Sequence, residues 1–369
     1  MQKNTSKKIA YLSSSAEKTG VHRFSNDLIN QLKLNSEVVL IKFNYHSGYL
    51  ELHRNDTVKR IKKGWKKLGK TFFIFSLRKH IPQYPCYFIE NQNLSFLKKK
   101  GILFVLDTFY TTHPKNWYER IQGKFLYSGI SSYNKVLVCS HFTKKTLVKS
   151  FRLSEKKIQV FHLSYDKSLY QPKNVPSEKF YNLFPQLNHH DFFFHISTAE
   201  PRKNLHRIIK AFQKVSAKHD TLLMVFAGKI NASTQLTLNQ FIDKLNLTHK
   251  VLFLGMISDS DLVDLYNKAT GFIFPSITEG YGYPALEAQA CHCPTVTSQG
   301  NSLEEISGPL SYSCNPFSTQ SIIDAMNQLL AHKVISKEQI IENETWLTQF
   351  STQPLANHIL DQIDLNANT

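Results

Sequence analysis

The chain has 369 residues, of which 41% are hydrophobic and 12% aromatic, and its formal net charge is +17. At roughly 150 residues per domain this length predicts two compact domains, and the composition excludes collagen, disorder and mini-proteins. The charge is uneven, because residues 1–170 carry a net +21 and the rest of the chain −4. A basic half of this kind attracts nucleic acid or an anionic membrane, and charge alone does not choose between them.

The apolar runs are too short to direct the chain into a membrane. Residues 9–12 fall short of a signal-peptide core, and residues 72–75 and 102–106 fall far short of the roughly 20 residues that span a bilayer. The sequence therefore predicts a protein that is soluble or peripheral.

The five cysteines are an odd number, and without an export signal they predict reduced thiols in a cytosol. Cys291 and Cys293 flank His292, which suggests a fragment of a metal site. A structural zinc site needs about four ligands, however, and no second Cys pair completes this one. We expect no metal.

Short β-branched or aromatic runs alternate with helical patterns along the chain. In the first half these runs cover residues 9–13, 38–43, 87–90, 102–109, 135–140 and 158–163. In the second half they cover residues 192–197, 222–228, 251–255, 271–276 and 294–298, with helical spacing at 204–217, 236–245 and 259–268. This alternation predicts two doubly wound α/β domains facing a crevice, with a linker near residues 171–190.

The densest basic run covers residues 58–70. Written as a helix, it places Val58, Ile61, Trp65 and Leu68 on one stripe and seven cations elsewhere. This pattern is typical of an interfacial helix on an anionic membrane. A solvated loop, or a helix with its apolar stripe on the core, is the alternative.

The loop after residues 271–276 holds two glycines ahead of Pro284, which is well placed to open a helix. A helix N-terminus presents backbone N–H groups to phosphate or sugar oxygens, and glycine allows a ligand to approach the backbone closely. Glu279 lies in this loop and Glu287 one turn into the helix. A surface loop with two solvated carboxylates is the alternative interpretation.

This segment resembles the Glu-x7-Glu signature of retaining glycosyltransferase family 4, of the glycosyl transferases group 1, which has the two-domain GT-B fold. Flanking residues fall in the order and spacing of that family: Phe253-Leu254-Gly255, Asp261-Leu262, Phe274-Pro275-Ser276, Leu286-Glu287-Ala288 and Cys293-Pro294. The resemblance implies that Glu279 contacts the transferred sugar and that Glu287 holds the ribose hydroxyls. It also implies nucleotide-sugar contacts at Gly255, Met256, Gly280, Tyr281 and Gly282.

Two cations, Arg202 and Lys203, follow the run at residues 192–197. Together they suit a leaving diphosphate, because both stabilise the negative charge that grows as a sugar–oxygen bond breaks. The segment is similar to the Glu-Pro-Arg-Lys motif of the same family. It departs from the family at Ser197, where many members carry another Arg. Solvated residues at a helix start are the alternative.

Two N-terminal loops supply further candidates. Gly20 lies in a segment that resembles the Thr-Gly-Ile-Gly-Arg-Tyr turn of the family, whose glycine backs the phosphates across the crevice. Asp107 and His113 follow the run at residues 102–109, where such side chains bind acceptor hydroxyls or assist proton removal. Leu106 stands where family members often carry His, and a structural hydrogen bond is the alternative role for His113.

The resemblance implies an acceptor-side domain at residues 1–170, a nucleotide-sugar-binding domain at 171–345 and a helix at 346–369 that returns to the first domain. The implied activity is retaining transfer from a nucleotide diphosphate sugar, GDP-mannose or a UDP-sugar, to a hydroxyl of a membrane-associated glycolipid or polysaccharide of the lipopolysaccharide, O-antigen or capsule type. No metal or other cofactor is implied.

The expected location is cytoplasmic, on the inner face of the cell membrane, reached through the basic N-terminal domain. Two alternatives stay open. One is a nucleic-acid-binding protein that uses the basic half, although it has no use for Glu279 and Glu287. The other is an inactive GT-B scaffold that binds a nucleotide.

Overall fold

A computed structural model describes residues 8–14, 20–54, 57–64, 69–109, 117–173, 178–332 and 334–367. The chain divides into two compact units, the first formed by Met1–Ser164 with Phe350–Thr369 and the second by Tyr165–Gln349. The division thus falls before Tyr165, ahead of the expected boundary at residues 170/171. His113 and residues 65–68 of the basic run lie outside the described residues.

The first unit contains an eight-stranded sheet in the order β4-β3-β2-β1-β5-β6-β7-β8. Its strands are β1 (Lys8–Ser13), β2 (Glu37–Asn44), β3 (Tyr49–Arg54), β4 (Thr57–Lys63), β5 (Tyr87–Ile89), β6 (Gly101–Val105), β7 (Lys135–Val138) and β8 (Ile158–Val160). Strands β2, β1, β5, β6, β7 and β8 are parallel, while β3 and β4 form an antiparallel extension. The parallel strands are apolar runs because helices cover both faces of such a sheet.

The helices of this unit are α1 (Gly20–Lys33), α2 (Gly69–Leu77), α3 (Trp117–Leu126), α4 (His141–Phe151) and α12 (Gln353–Ala367). Ser140 caps α4 as expected, its Oγ accepting from the backbone N–H of Thr143. Ser164 and Thr352, where the chain leaves and re-enters the unit, both donate hydroxyl hydrogen bonds to Asp27 on α1. The terminal helix is thereby joined to the first unit.

The basic run is not helical where the structure describes its first part. Thr57–Lys63 is strand β4, which pairs antiparallel with β3 at the edge of the sheet. Its side chains are mostly exposed, so no core is present to select the helical stripe. Lysines on an edge strand also oppose pairing with another chain. The prediction of an interfacial helix was therefore wrong over Val58–Lys63.

The second unit contains a six-stranded parallel sheet in the order β11-β10-β9-β12-β13-β14. Its strands are β9 (Phe192–Ile196), β10 (Leu223–Ala227), β11 (Val251–Phe253), β12 (Gly271–Phe274), β13 (Thr295–Ser298) and β14 (Ser311–Cys314). Its helices are α5 (Glu178–Leu183), α6 (Leu205–Ser216), α7 (Ala232–Lys244), α8 (Asp259–Lys268), α9 (Tyr283–Ala290), α10 (Thr319–Ala331) and α11 (Lys337–Leu347).

The core of the second unit forms where α6 and α10 cover one face of its sheet. Ile208 and Phe212 of α6 and Met326 of α10 are fully buried against strand residues such as Met224 and Ile273. These apolar positions recur with helical spacing on α6 and as continuous runs on the strands. The α/β class with two doubly wound sheets is confirmed.

The boundaries of the predicted runs differ from the structure in two respects. The run at residues 102–109 ends its pairing at Val105, because the next backbone N–H, that of Leu106, donates to the Gln92 side chain at 3.0 Å. Strands β3 and β14 were missed, since both are short and partly polar.

No helix among the described residues is both long and apolar enough to cross a bilayer.

Candidate active site

The loops that carry the candidate residues leave neighbouring strands of the second sheet. Strands β9 and β12 are adjacent, and the chain order runs away from them in opposite directions, toward β10 on one side and β13 on the other. Ligands of open α/β sheets bind at the carboxyl ends of the strands at such a reversal. The β9 loop brings Arg202 and Lys203 to this point, and the β12 loop brings Glu279.

The Glu279 carboxylate accepts hydrogen bonds from both cations. Lys203 Nζ lies 2.5 Å from its Oε1, and a terminal nitrogen of Arg202 lies 3.0 Å from its Oε2. Arg202 Nε also donates to Glu200 Oε2 at 2.8 Å. Lys203 Nζ is 4.8 Å from the centre of the Phe274 ring, a cation–π contact. The structure therefore brings together three residues that the sequence placed in separate motifs.

The charged groups in this cluster shift one another's pKa values. Burial raises the pKa of the Glu279 carboxyl, but the positive charges of Lys203 and Arg202 outweigh burial and hold that pKa below its ordinary value. Burial lowers the pKa of Lys203, an effect that Glu279 only partly offsets. For Arg202, burial is outweighed by Glu279 and Glu200, and the pKa is raised. At neutral pH the carboxylate is ionised between two cations.

Asn204 holds the β9 loop against the β12 loop. Its backbone is left-handed, with a φ of 67°, which ends the short turn at Pro201–Lys203 and starts α6. The Asn204 amide donates to the carbonyl oxygens of Pro275 at 3.0 Å and Pro316 at 2.7 Å. The backbone N–H of Ile277 also donates to the Arg202 carbonyl at 2.8 Å. These bonds fix the distance between the cations and Glu279.

Three polar residues, at the end of β13 and directly after it, hold the β12 loop from the other side. The Ser298 hydroxyl and the Asn301 amide both donate to the Ser276 carbonyl. The Ser302 hydroxyl donates to the carbonyls of Glu279 at 2.8 Å and Tyr281 at 3.2 Å. Sequence reasoning missed these positions, because a polar side chain that binds a distant backbone leaves no local pattern.

Gly282 is the turn from the β12 loop into α9. Its φ is 109°, a conformation that favours glycine, and a Cβ there would lie 2.3 Å from Leu303 Cδ2. Pro284 occupies the first turn of α9, as expected. The strand, glycine loop and helix start predicted for this segment are therefore confirmed, and Gly280 and Tyr281 lie in the loop ahead of the helix start.

Glu287 lies on α9 and is buried, with 3% of its surface exposed. After burial, its negative charge is the largest cause of the raised pKa of the Tyr266 hydroxyl and of the Cys291 thiol, the latter to about 12. Both groups therefore stay protonated at neutral pH.

Gly255 and Met256 follow β11, two strands away from β9 in the sheet. Gly255 has a φ of 69°, and a Cβ built on it meets no heavy atom within 4 Å. Its carbonyl accepts from the backbone N–H of Gly228 at 2.8 Å. Met256 is 74% exposed. Both positions therefore lie at an open part of the carboxyl edge of the sheet.

The first unit holds two of the remaining candidates. Gly20 is the first residue of α1, directly after residues that lie outside the described part. Asp107 follows β6, and its Oδ1 accepts from the backbone N–H of Phe109 at 3.2 Å and from the Tyr127 hydroxyl at 3.5 Å. Both positions are at the carboxyl ends of parallel strands or at the helix starts that follow them.

Glu90 is a buried carboxylate that the sequence reasoning treated only as a strand end. It lies just after β5, next to β1, and accepts from the backbone N–H of Ser14 at 3.2 Å and from the Ser25 hydroxyl. It therefore ties the loop after β1 to helix α1. In the sequence, Glu90 is recognisable only as a single acidic residue at the end of an apolar run.

His195 is a second residue that sequence reasoning missed. Its Nδ1 lies 2.7 Å from the Ile273 carbonyl, so this nitrogen donates, and its Nε2 accepts from the Ser197 hydroxyl at 2.7 Å. Burial, with a smaller effect from Lys203, lowers the pKa of His195 to about 4. This neutral histidine lies beside the charged cluster. Its hydrogen-bond donor, Ser197, is the position where the sequence departs from the pattern of the family it resembles.

We expect His195→Gln to flatten the pH dependence of stability. Because the folded pKa of His195 is below the ordinary 6.5, the unfolded chain binds a proton more readily, and stability falls as pH drops from 6.5 to 4. The loss attributable to this group is about 3 kcal/mol. Urea unfolding of both proteins at pH 7.5, 5.5 and 4.5 measures it. His189→Gln, at an exposed position, is the matched control, and equal slopes for His195→Gln and the original protein would contradict the prediction.

Comparison with known proteins finds relatives of the second unit. Residues 184–345 match the Glycosyl transferases group 1 family. The O-antigen chain mannosyltransferase RfbU of Salmonella typhimurium is 28% identical over 187 residues, which are 50% of this chain and 48% of that protein. The chain thus spans about half the length of this curated relative.

Two solved structures share the fold over nearly the whole chain. Sucrose-phosphate synthase from Thermosynechococcus elongatus has a TM-score of 0.78 at 14% identity, covering 98% of this chain and 100% of the other. Anabaena Alr3699/HepE in complex with UDP and glucose has a TM-score of 0.67 at 14% identity, covering 98% and 97%. The expected GT-B fold is confirmed. The Arg202, Lys203 and Glu279 cluster lies within the stretch, residues 184–345, that matches the Glycosyl transferases group 1 family.

Proposed function

We propose that this protein is a retaining glycosyltransferase that moves a sugar from a nucleotide diphosphate sugar to a hydroxyl of a glycolipid or polysaccharide. The observation that carries the proposal is the buried Glu279 carboxylate held between Lys203 and Arg202 where β9 and β12 end. Two cations at a strand reversal suit a diphosphate, and an ionised carboxylate beside them suits the hydroxyls of a sugar.

In the proposed reaction the two cations act on the leaving group. The bond between the anomeric carbon and the diphosphate oxygen breaks, and its electron pair stays on that oxygen. Arg202 and Lys203 stabilise the negative charge that develops there. The acceptor hydroxyl oxygen bonds the anomeric carbon from the same face, and its proton passes to the leaving phosphate oxygen. Configuration is thereby retained.

Before the donor binds, the two cations are engaged by glutamates. Arg202 bonds both Glu200 and Glu279, and Lys203 bonds Glu279. We infer that the diphosphate shares these cations with Glu279, which keeps one oxygen for a sugar hydroxyl. In this arrangement Glu279 both places the cations and orients the sugar. Backbone N–H groups of Gly280 to Gly282 add donors to sugar and phosphate, and Glu287 holds the ribose hydroxyls.

The acceptor is proposed to bind the first unit. Asp107 at the end of β6 is the first candidate to hold the acceptor hydroxyl, His113 is the second, and Gly20 is the candidate residue behind the phosphates. The mannosyl group is the preferred sugar, on the strength of the name of the Salmonella relative. UDP-glucose is the second candidate donor, on the strength of the UDP and glucose bound to the Anabaena protein. An O-antigen type acceptor would place the enzyme at the inner face of a membrane.

A donor screen tests the proposal. The protein is heated with GDP-mannose, UDP-glucose, UDP-galactose or UDP-N-acetylglucosamine, and the unfolding temperature is measured. A ligand at 100 times its dissociation constant stabilises the folded state by about 2.7 kcal/mol, so the true donor should stand apart from the others. Release of nucleotide from that donor, followed over time, then tests turnover.

Two outcomes would contradict the proposal. The first is a protein that none of the nucleotide sugars stabilises but that binds RNA with a steep salt dependence, as a nucleic-acid-binding protein does. The second is a donor that binds without any nucleotide release in the presence of lipid-linked or polysaccharide acceptors, as for an inactive scaffold. The buried Glu279 between two cations has no evident use in the first alternative.

A further inference from the structure

The first unit carries an exposed aromatic surface that the proposed sugar transfer does not use. Exposed Phe and Trp side chains concentrate there: among the described residues four of the five lie on α2 and α3, and the fifth, Phe317, is in the second unit. The four on α2 and α3, together with Phe96 and Ile121, form what we call the aromatic patch. Its members are Phe72, Phe75, Phe96, Trp117, Ile121 and Phe125.

Ring contacts make this patch continuous between the two helices. The Phe75 ring of α2 lies 6.1 Å from the Phe125 ring of α3, measured between centroids, and Phe96 lies 5.0 Å from Phe125. Along α3, Trp117, Ile121 and Phe125 are four residues apart and therefore lie on one face of the helix. Trp117 is 75% and Ile121 58% exposed. An apolar stripe of this kind normally faces a core, but this one faces outward.

Cations lie on the elements that carry the aromatic patch. The Arg78 guanidinium carbon lies 3.5 Å from the centre of the Phe75 ring. Lys79, Lys98, Arg120 and Lys124 are exposed or partly exposed on the same elements or directly after them. Residues 69–100 contain six Lys and Arg against one acid, Glu90, which is fully buried. Glu119 is the single acidic residue of α3.

We propose that the aromatic patch is the surface by which this protein binds an anionic lipid bilayer. Aromatic and aliphatic side chains on one face with Lys and Arg around them match the acyl boundary and the anionic headgroups of a membrane interface. Each cation near an anionic surface adds about 1 kcal/mol to binding. The surface differs from the basic strand β4, which carries cations and only one large exposed apolar side chain, Val58.

Two other occupants fit the patch less well. A nucleic acid stacks its bases on open aromatic faces, but the face of Phe75 is covered by Arg78, and Ile121 offers no ring to stack on. A second copy of the chain would bring the same cations together across a symmetric interface, where like charges repel. The bilayer satisfies both the apolar stripe and the positive rim.

Vesicle sedimentation tests the assignment. The full chain is mixed with vesicles of 30% phosphatidylglycerol in phosphatidylcholine, and with phosphatidylcholine alone. We expect binding to the anionic vesicles, weakened by high salt. The combined substitution Phe72→Ser, Trp117→Ser and Ile121→Ser should lower the partition coefficient at least tenfold. Lys79→Glu with Lys124→Glu should reduce binding to the anionic vesicles only.

A matched control removes as many exposed apolar side chains from the second unit. The control variant combines Leu183→Ser, Leu236→Ser and Ile341→Ser, at positions that are 49% to 62% exposed. We expect its vesicle binding to be unchanged. Thermal unfolding of each variant checks that it folds, and the single substitution Trp117→Ser, at the most exposed position of the patch, gives the answer if the triple variant does not.

Three results would overturn the proposal. Equal vesicle binding by the patch variant and the original protein is the first. The second is RNA binding that the patch substitutions abolish while no vesicle binding is seen, and the third is self-association that they abolish. Because no sugar donor is present in these measurements, they are independent of the proposed transfer reaction. A failed donor screen would leave the membrane assignment standing, and the reverse is equally true.

Discussion

Replacing Glu279 with glutamine should lower turnover of the nucleotide sugar by about 10² to 10³-fold, the usual effect of removing one group that acts on transition-state charge. Glutamine keeps the size of the side chain but cannot carry the charge that Lys203 and Arg202 contact at 2.5 and 3.0 Å. The buried Lys203 then loses its salt-bridge partner and Arg202 keeps only Glu200, which should cost about 3 kcal/mol of unfolding free energy. Nucleotide release and urea unfolding measure the two effects.

Glu200→Gln provides the graded comparison for Glu279→Gln. Glu200 also bonds Arg202, at 2.8 Å, but it is about a third exposed and does not contact Lys203. We therefore expect a smaller loss of turnover and little change in unfolding. An equal loss from the two substitutions would contradict a special role for Glu279, and full activity of Glu279→Gln would contradict the proposed mechanism itself.

Replacing Lys203 with methionine should separate chemistry from folding. Turnover should fall by about 10² to 10³-fold, because the leaving diphosphate loses a buried cation. Unfolding should change less than for Glu279→Gln, about 2 kcal/mol or less, because Glu279 keeps its bond to Arg202 at 3.0 Å. The measurements are kcat with the donor found in the thermal screen and urea unfolding at pH 7.

The pH dependence gives the Lys203→Met prediction a second readout. The folded pKa of Glu279 is below its ordinary value of 4.5, so its ion pairs stabilise the fold above that pH and lose their effect as pH falls through the folded pKa. In Lys203→Met the loss of folding stability on acidification should therefore be smaller. Lys210→Met, at an exposed position on α6, is the matched control. Unchanged kcat in Lys203→Met would rule out its role at the leaving group.

The elements of the second unit follow closely from the sequence. Apolar runs such as residues 192–197 and 271–276 became β9 and β12, because a strand buried on both faces excludes polar side chains. The glycine and proline of the β12 loop predicted the helix start at Tyr283, since few other residues fit those backbone conformations. Local chemistry was sufficient for these positions.

Local chemistry was not sufficient at the edge of the first sheet. Residues 58–63 fit a helical stripe, yet they form β4 because β3 offers backbone hydrogen bonds in the antiparallel register. A short run of mixed Lys, Val and Ile has no strong preference, so the partner decides. Phe75 shows the same limit, because only the fold reveals that its ring contacts Phe125 of α3 rather than a core.

The sequence by itself determined the two α/β halves, the positive charge of the first, and the residue types of the candidate site: Arg202, Lys203 and Glu279. Only the tertiary structure decided that Glu279 lies between the two cations, because 76 residues separate Lys203 from Glu279 and their meeting depends on the adjacency of β9 and β12. It also placed His195 and Asn301 beside them. Periodicity reports which face a side chain takes within one element, whereas the order of strands in a sheet is set by packing between distant segments.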